Sequence, residues 1–130
     1  MARDVIHTKE APPAVGPYSQ AVRTGPLLYT AGQIPLDPAT GKLVEGDITA
    51  HVRRVMENLR AVLAAAGFSF DDVVKTTIFV KDMGQFASIN QTYGEYFPTD
   101  PPARSTVQVA KLPLDAAVEI EMVASVRWGR

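Results

Sequence analysis

The stretch that most narrows the fold follows Gly46-Asp47. Val52, Val55, Met56, Leu59, Val62, Leu63 and Ala66 recur at helical spacing, while Arg53, Arg54, Glu57, Asn58 and Arg60 occupy the other side. The pattern predicts an amphipathic helix. Asp47 or Thr49 can cap its first turn, and Gly67 can take the left-handed conformation that ends many helices. One apolar stripe requires a second layer to cover it, so the remaining chain must supply that layer.

Strands supply it. Val5-Ile6 reads as a short first strand, broken by Ala11-Pro12-Pro13, and Gly16-Pro17 reads as a turn. Residues 18–23 are expected to be extended, with Thr24-Gly25-Pro26 turning the chain into Leu27-Leu28-Tyr29-Thr30-Ala31 as a hairpin. Gly32-Gln33-Ile34-Pro35 ends that strand, and Asp37-Pro38-Ala39-Thr40-Gly41 is a loop. Residues 73–80 are rich in β-branched side chains and read as a central strand. Asp82 and Gln85 have capping-box spacing, ahead of a second helix whose face is marked by Phe86, Ile89, Tyr93 and Phe97 and which Pro98 closes.

Pro101-Pro102 then forces an extended entry into an alternating strand over residues 105–109, which places Arg104 at the strand mouth. After a connection through Lys111-Leu112-Pro113-Leu114-Asp115, residues 118–127 alternate again. Val118, Ile120, Met122, Ala124 and Val126 share one face; Glu119, Glu121, Val123, Ser125 and Arg127 share the other. The expected architecture is α+β: a single sheet with two helices packed on one face, forming one domain over residues 1–130. The mixed face carrying Val123 is expected to meet another subunit.

Composition excludes several function classes. Thirteen Lys and Arg against fourteen Asp and Glu give a net charge of -1, which removes the bulk electrostatic case for a nucleic-acid binder. The lack of cysteine rules out disulfides, thiolate-held metals and cysteine nucleophiles, and suits a reducing compartment. No 18-residue apolar run exists and the N-terminal residues are polar, so a cytoplasmic protein without membrane contact is expected. His7 and His51 lack metal-ligand spacing, so no metal site is expected. The serines lack a nucleophile-elbow context, and Gly41-Lys42 lacks the rest of a phosphate loop.

Among residues that can carry chemistry, Arg104 comes first. A planar, permanently charged guanidinium at a rigid strand mouth matches the two oxygens of a carboxylate or phosphate. The plainer alternative is a surface salt bridge. Glu119, near the start of the following strand, can be brought beside Arg104 by one hairpin and can handle water; alternatively it is simply solvated. Tyr18 can present a phenol at a loop edge, or pack. Gly32 and Gln33 can let the backbone approach a ligand, or merely end a strand. Asn90 lies off the apolar stripe of the second helix, as a pocket hydrogen-bonder or an exposed polar residue.

The run Pro102-Ala103-Arg104-Ser105-Thr106-Val107 through Leu112, followed by Val118-Glu119-Ile120, closely resembles the C-terminal signature of the Rid family, also called YjgF, whose RidA-type members are enamine/imine deaminases. Gly16-Pro17-Tyr18-Ser19-Gln20-Ala21, Ala31-Gly32-Gln33-Ile34-Pro35 and Thr76-Thr77-Ile78-Phe79-Val80-Lys81-Asp82 also look like family segments, so the resemblance spans nearly the entire chain. It implies a chorismate-mutase-like fold, a homotrimer with clefts between subunits, and cofactor-free hydrolysis of 2-iminobutanoate and 2-iminopropanoate to 2-oxo acids and ammonia. It also implies that Arg104 binds the substrate carboxylate, that Glu119 positions or activates water, and that Tyr18, Gly32 and Asn90 complete the pocket. Thr106 stands where many relatives have cysteine. A non-catalytic carboxylate-binding trimer, or the ribonuclease or chaperone-like activity attributed to some relatives, are the alternatives.

Overall fold

A computed structural model describes residues 3–127. Among these residues six strands form one sheet: β1 (Asp4–Ile6), β2 (Ala21–Thr24), β3 (Leu27–Thr30), β4 (Val73–Val80), β5 (Ala103–Gln108) and β6 (Val118–Ser125), in the spatial order β1-β2-β3-β6-β4-β5. All neighbours are antiparallel except β4 and β5, which run parallel. Residues 81–102 make the crossover that a parallel pair requires, and they contain helix α2 (Phe86–Gly94).

The long helix α1 (Ile48–Ala65) forms where the apolar spacing places it. Asp47 caps it by accepting a hydrogen bond from the Ala50 backbone at 3.0 Å. At the other end Gly67 takes φ +83°, and its N–H and that of Phe68 donate to the carbonyls of Ala64 and Leu63, closing the helix in a Schellman arrangement. Every residue of the predicted stripe is buried. Asn58 is buried too, which corrects its expected place on the outer side. Three residues beyond Val55, it falls on the stripe's edge, where its amide donates to the Leu36 carbonyl at 2.9 Å and accepts from Arg54 Nε at 3.1 Å. The hydrogen bonds offset the cost of burying it.

Pleat parity sorts the sheet into two faces. Leu28, Thr76, Ile78, Val118, Ile120, Met122 and Ala124 are buried and share one core with α1 and α2. Fully burying side chains such as Leu59, Ile78 or Ile120 stabilises by about 1.5–3 kcal/mol each. Among the described residues no helix covers the opposite face, where Val5, Val22, Tyr29 and Val123 lie in register across four strands, with Val5 59% and Tyr29 48% exposed. Among the described residues, no helix is long and apolar enough to cross a membrane.

Two local expectations shift. Residues 18–20 precede β2 instead of extending it, because Tyr18 N–H closes a tight turn onto the Gly16 carbonyl at 2.8 Å. Asp82 does not cap α2; its carboxylate accepts from Gly84 N–H at 2.8 Å and caps a separate 3-10 turn, Met83–Gln85, from which α2 then starts.

Candidate functional site

Arg104 stands on edge strand β5 opposite Thr76, hence on the helix-covered side. Its Nη1 donates to Asn90 Oδ1 at 2.5 Å, and its Cζ lies 5.4 Å from the Phe86 ring centroid and 5.3 Å from that of Tyr93. Phe86, Asn90 and Tyr93 are four and three residues apart, so one face of α2 makes the whole cradle. Tyr93 is fixed in turn by a 2.7 Å hydrogen bond with the buried Thr76 hydroxyl, and burial raises its phenol pKa, keeping it neutral beneath the cation. Aromatic faces attract the guanidinium by about 0.5–2 kcal/mol each without neutralising it. Among the described residues no carboxylate pairs with Arg104, which removes the surface-salt-bridge reading. Thr106, two residues along on the same side, keeps a buried hydroxyl oxygen without a hydrogen-bond partner among the described residues.

Glu119 occupies the other face, in register with Phe79. It borders a cavity of about 510 Å³ whose wall also includes Tyr18, Gly32 and Gln33. A Cβ at Gly32 would overlap Glu119 Oε2, so glycine is what lets this carboxylate rest against the main chain. The backbone is pinned there by the reciprocal hydrogen bonds of Gln33 and Ile120, at 2.9 and 3.1 Å. Burial raises the Glu119 pKa, and the nearby Glu121 charge adds to the rise. A carboxyl tuned upward toward neutral pH is a better proton acceptor for water.

The cavity's N-terminal wall depends on Gln20. This buried amide accepts from Thr8 N–H at 2.7 Å and donates to the carbonyls of Thr8 and Pro12 at 3.1 and 2.8 Å, tying down a segment that has no strand partner of its own. Tyr18, 52% exposed, stands at the cavity's edge with its hydroxyl facing the Val15 N–H at 3.4 Å.

The six expected site residues therefore form two groups. Tyr18, Gly32 and Glu119 surround the cavity on the uncovered face; Arg104, Asn90 and Thr106 gather at the sheet edge on the covered face. The expectation that one hairpin joins Arg104 to Glu119 is wrong, because β4 lies between β5 and β6 and the two side chains project to opposite faces. Phe86 and Tyr93, expected as markers of one face of the second helix, also face Arg104; their spacing of four and three around Asn90 is the signal for it. Gln20, with no apolar period to mark it, left no such signal. Among the described residues no group of His, Asp or Glu could hold a metal ion.

The family model for Endoribonuclease L-PSP matches residues 8–126. The chain belongs to this family, the Rid or YjgF group. Within it, Protein DfrA of Myxococcus xanthus is 56% identical over 126 residues, covering 95% of this chain and 96% of that protein. A Salmonella typhimurium relative named 2-iminobutanoate/2-iminopropanoate deaminase is 48% identical over 122 residues, covering 92% and 94% respectively. The crystal structure of Escherichia coli TdcF with bound serine has a TM-score of 0.91 at 42% identity, covering 95% of this chain and 99% of that one. The Rid fold is thus shared over nearly all of this chain, with both residue groups inside the matched region.

Proposed function

We propose that this Rid protein hydrolyses 2-imino acids to 2-oxo acids and ammonia, in clefts formed where the Arg104 edge of one copy meets the Glu119 cavity of the next. The observation that carries the reading is the Arg104 cradle: a guanidinium positioned by an amide and two rings keeps its charge available for a ligand anion. The name of the Salmonella relative and the amino acid bound to TdcF agree with a small carboxylate substrate. A homotrimer is the assembly we assign, with the apolar row of Val5, Val22, Tyr29 and Val123 buried between copies.

In this mechanism the substrate carboxylate takes two hydrogen bonds from Arg104, whose orientation Asn90 maintains. Glu119 orients a water against the protonated imine carbon and accepts one of its protons as the C–O bond forms. The proton held by Glu119 then returns to the carbinolamine nitrogen, the C–N bond breaks as the hydroxyl oxygen forms the C=O bond, and the hydroxyl proton passes back to the Glu119 carboxylate, leaving ammonia and a 2-oxo acid. The protonated C=N is electrophilic by itself, so the scheme assigns no role to a metal or cofactor. Tyr18 and the Gly32 backbone bound the substrate, and Thr106 contributes through its main-chain carbonyl, a role in which threonine replaces cysteine without loss.

Generating an imine with an amino-acid oxidase and trapping the survivor with semicarbazide tests the activity: the protein should lower the trapped fraction. Subunit mixing tests the shared site. Arg104→Ala and Glu119→Gln should each be inactive, yet co-refolding them in equal amounts should restore about a quarter of the sites, because each site takes its two residues from different copies. No recovery in verified mixed oligomers would sink the inter-copy arrangement. A non-catalytic carboxylate binder would bind ligand but leave trapping unchanged.

A further inference from the structure

The connection between β5 and β6 contains a residue that the fold leaves unexplained. Leu114 and Asp115 both adopt positive φ, +56° and +58°, a region that Cβ-bearing residues seldom enter and leucine especially avoids. Burial does not compensate Leu114, because its side chain is 67% exposed. Glycine would hold the same backbone with less strain. The loop is nonetheless firmly set: Asp115 pairs with Lys81 Nζ at 2.6 Å, and its N–H donates to the Leu112 carbonyl at 3.0 Å.

What Leu114 does border is the Glu119 cavity. Pro13, Val15, Ile34, Leu36 and Pro113 join it there, so the wall is predominantly apolar. The Gln20 amide also reaches that wall, but its hydrogen bonds are committed to the backbone of residues 8–12. Nothing in an arginine clamp or a water-positioning glutamate separates one 2-imino acid from another, since all share the same carboxylate and C=N group. Discrimination must come from what the substrate's side chain meets.

We infer that Leu114 is a specificity-determining residue, packing against the substrate side chain and favouring 2-imino acids with branched or extended aliphatic groups over those with a methyl or hydroxymethyl group. The inference rests on the deaminase reading above, and deepens it. A strained, exposed leucine at a cavity mouth is the juxtaposition that supports it.

The test compares kcat/KM for imines generated from leucine and from alanine, in the wild type and in Leu114→Ala and Leu114→Lys. The leucine-to-alanine ratio should fall about tenfold in Leu114→Ala, and at least as far in Leu114→Lys, where a charge replaces the apolar surface. A ratio unchanged within about twofold overturns the inference while leaving the deaminase reading intact. If the wild type hydrolyses neither imine, both fail together. Sedimentation of each variant supplies a further check: a changed oligomeric state would assign Leu114 to subunit contact instead and overturn the specificity role. Leu114→Gly should also lose the ratio while gaining thermal stability, because it removes the side chain and the backbone strain together.

Discussion

The two faces of the sheet hold their polar side chains by opposite means. On the covered face, Arg104 is surrounded by partners from its own chain: Asn90 accepts from it, and Phe86 and Tyr93 lie under it. On the uncovered face, Glu119 is held by space, lying where Gly32 has no side chain, and burial and Glu121 both disfavour its charge. The difference is one of readiness against tension. The arginine is ionised and aimed before any ligand arrives, whereas the glutamate carries a charge that folding makes less comfortable and that a proton or a positively charged ligand would relieve.

The largest effect is expected from removing the aimed charge. Arg104→Ala should lower kcat/KM in the trapping assay by about a hundredfold or more, and Arg104→Lys should be nearly as impaired because an ammonium lacks the planar fork. Equal activity in the lysine variant would show that charge alone suffices and break the account of this face. Glu119→Gln should lose turnover by a factor on the order of a hundred while retaining affinity for a small carboxylate, measured by calorimetry.

The same variant should melt at a higher temperature near pH 7. Folding raises the Glu119 pKa, so the ionised carboxylate costs stability. Stability present below the unfolded-chain glutamate range is lost as pH rises through the raised folded value. The advantage of Glu119→Gln should therefore vanish in acid, and melting curves across pH would expose a wrong sign.

Gly32→Ala sharpens the contrast further. Its Cβ must push the Glu119 side chain aside from Cγ outward, so we expect roughly a tenfold loss of kcat with little loss of fold, because none of the obstructed atoms belongs to the backbone. Tyr93→Phe should keep the ring beneath Arg104 but leave the buried Thr76 hydroxyl without its partner, costing about 1 kcal/mol in urea unfolding and less than about threefold in activity. Glu121→Gln should give the smallest change: the acid limb of the pH–rate profile should move downward, since Glu121 is the lesser cause of the Glu119 rise.

Local chemistry was legible wherever one period dominated. The stripe from Val52 to Ala66, the Gly67 stop and the strand Val73–Val80 are readable from spacing and breakers; the cap is narrowed only to Asp47 or Thr49, and the last strand, expected over residues 118–127, ends at Ser125. Strand pairing was not. Alternation says which side chains share a face of their own strand and nothing about which strand lies alongside, so the insertion of β4 between β5 and β6 was invisible, and Arg104 and Glu119 were wrongly joined. The length of the segment between β4 and β5 did allow a parallel crossover. Polarity does not mean exposure at Asn58, whose position on the helix puts its amide within reach of two carbonyls. The role of Gly32 needs the distance to Glu119, which no sequence pattern encodes.

Strand β5 also bears on how the protein avoids aggregation. It closes the sheet on one side, and an edge strand offers unpaired backbone groups to any other chain. Here the edge is only six residues long, is preceded by Pro101-Pro102, which cannot donate to a further ladder, and carries the charge of Arg104. Each is a known deterrent to strand addition. The prolines that lead into Arg104, and its charge, thus also keep one sheet from growing onto the next, and a proline-free, charge-free version of this edge should form fibrils more readily than the parent chain.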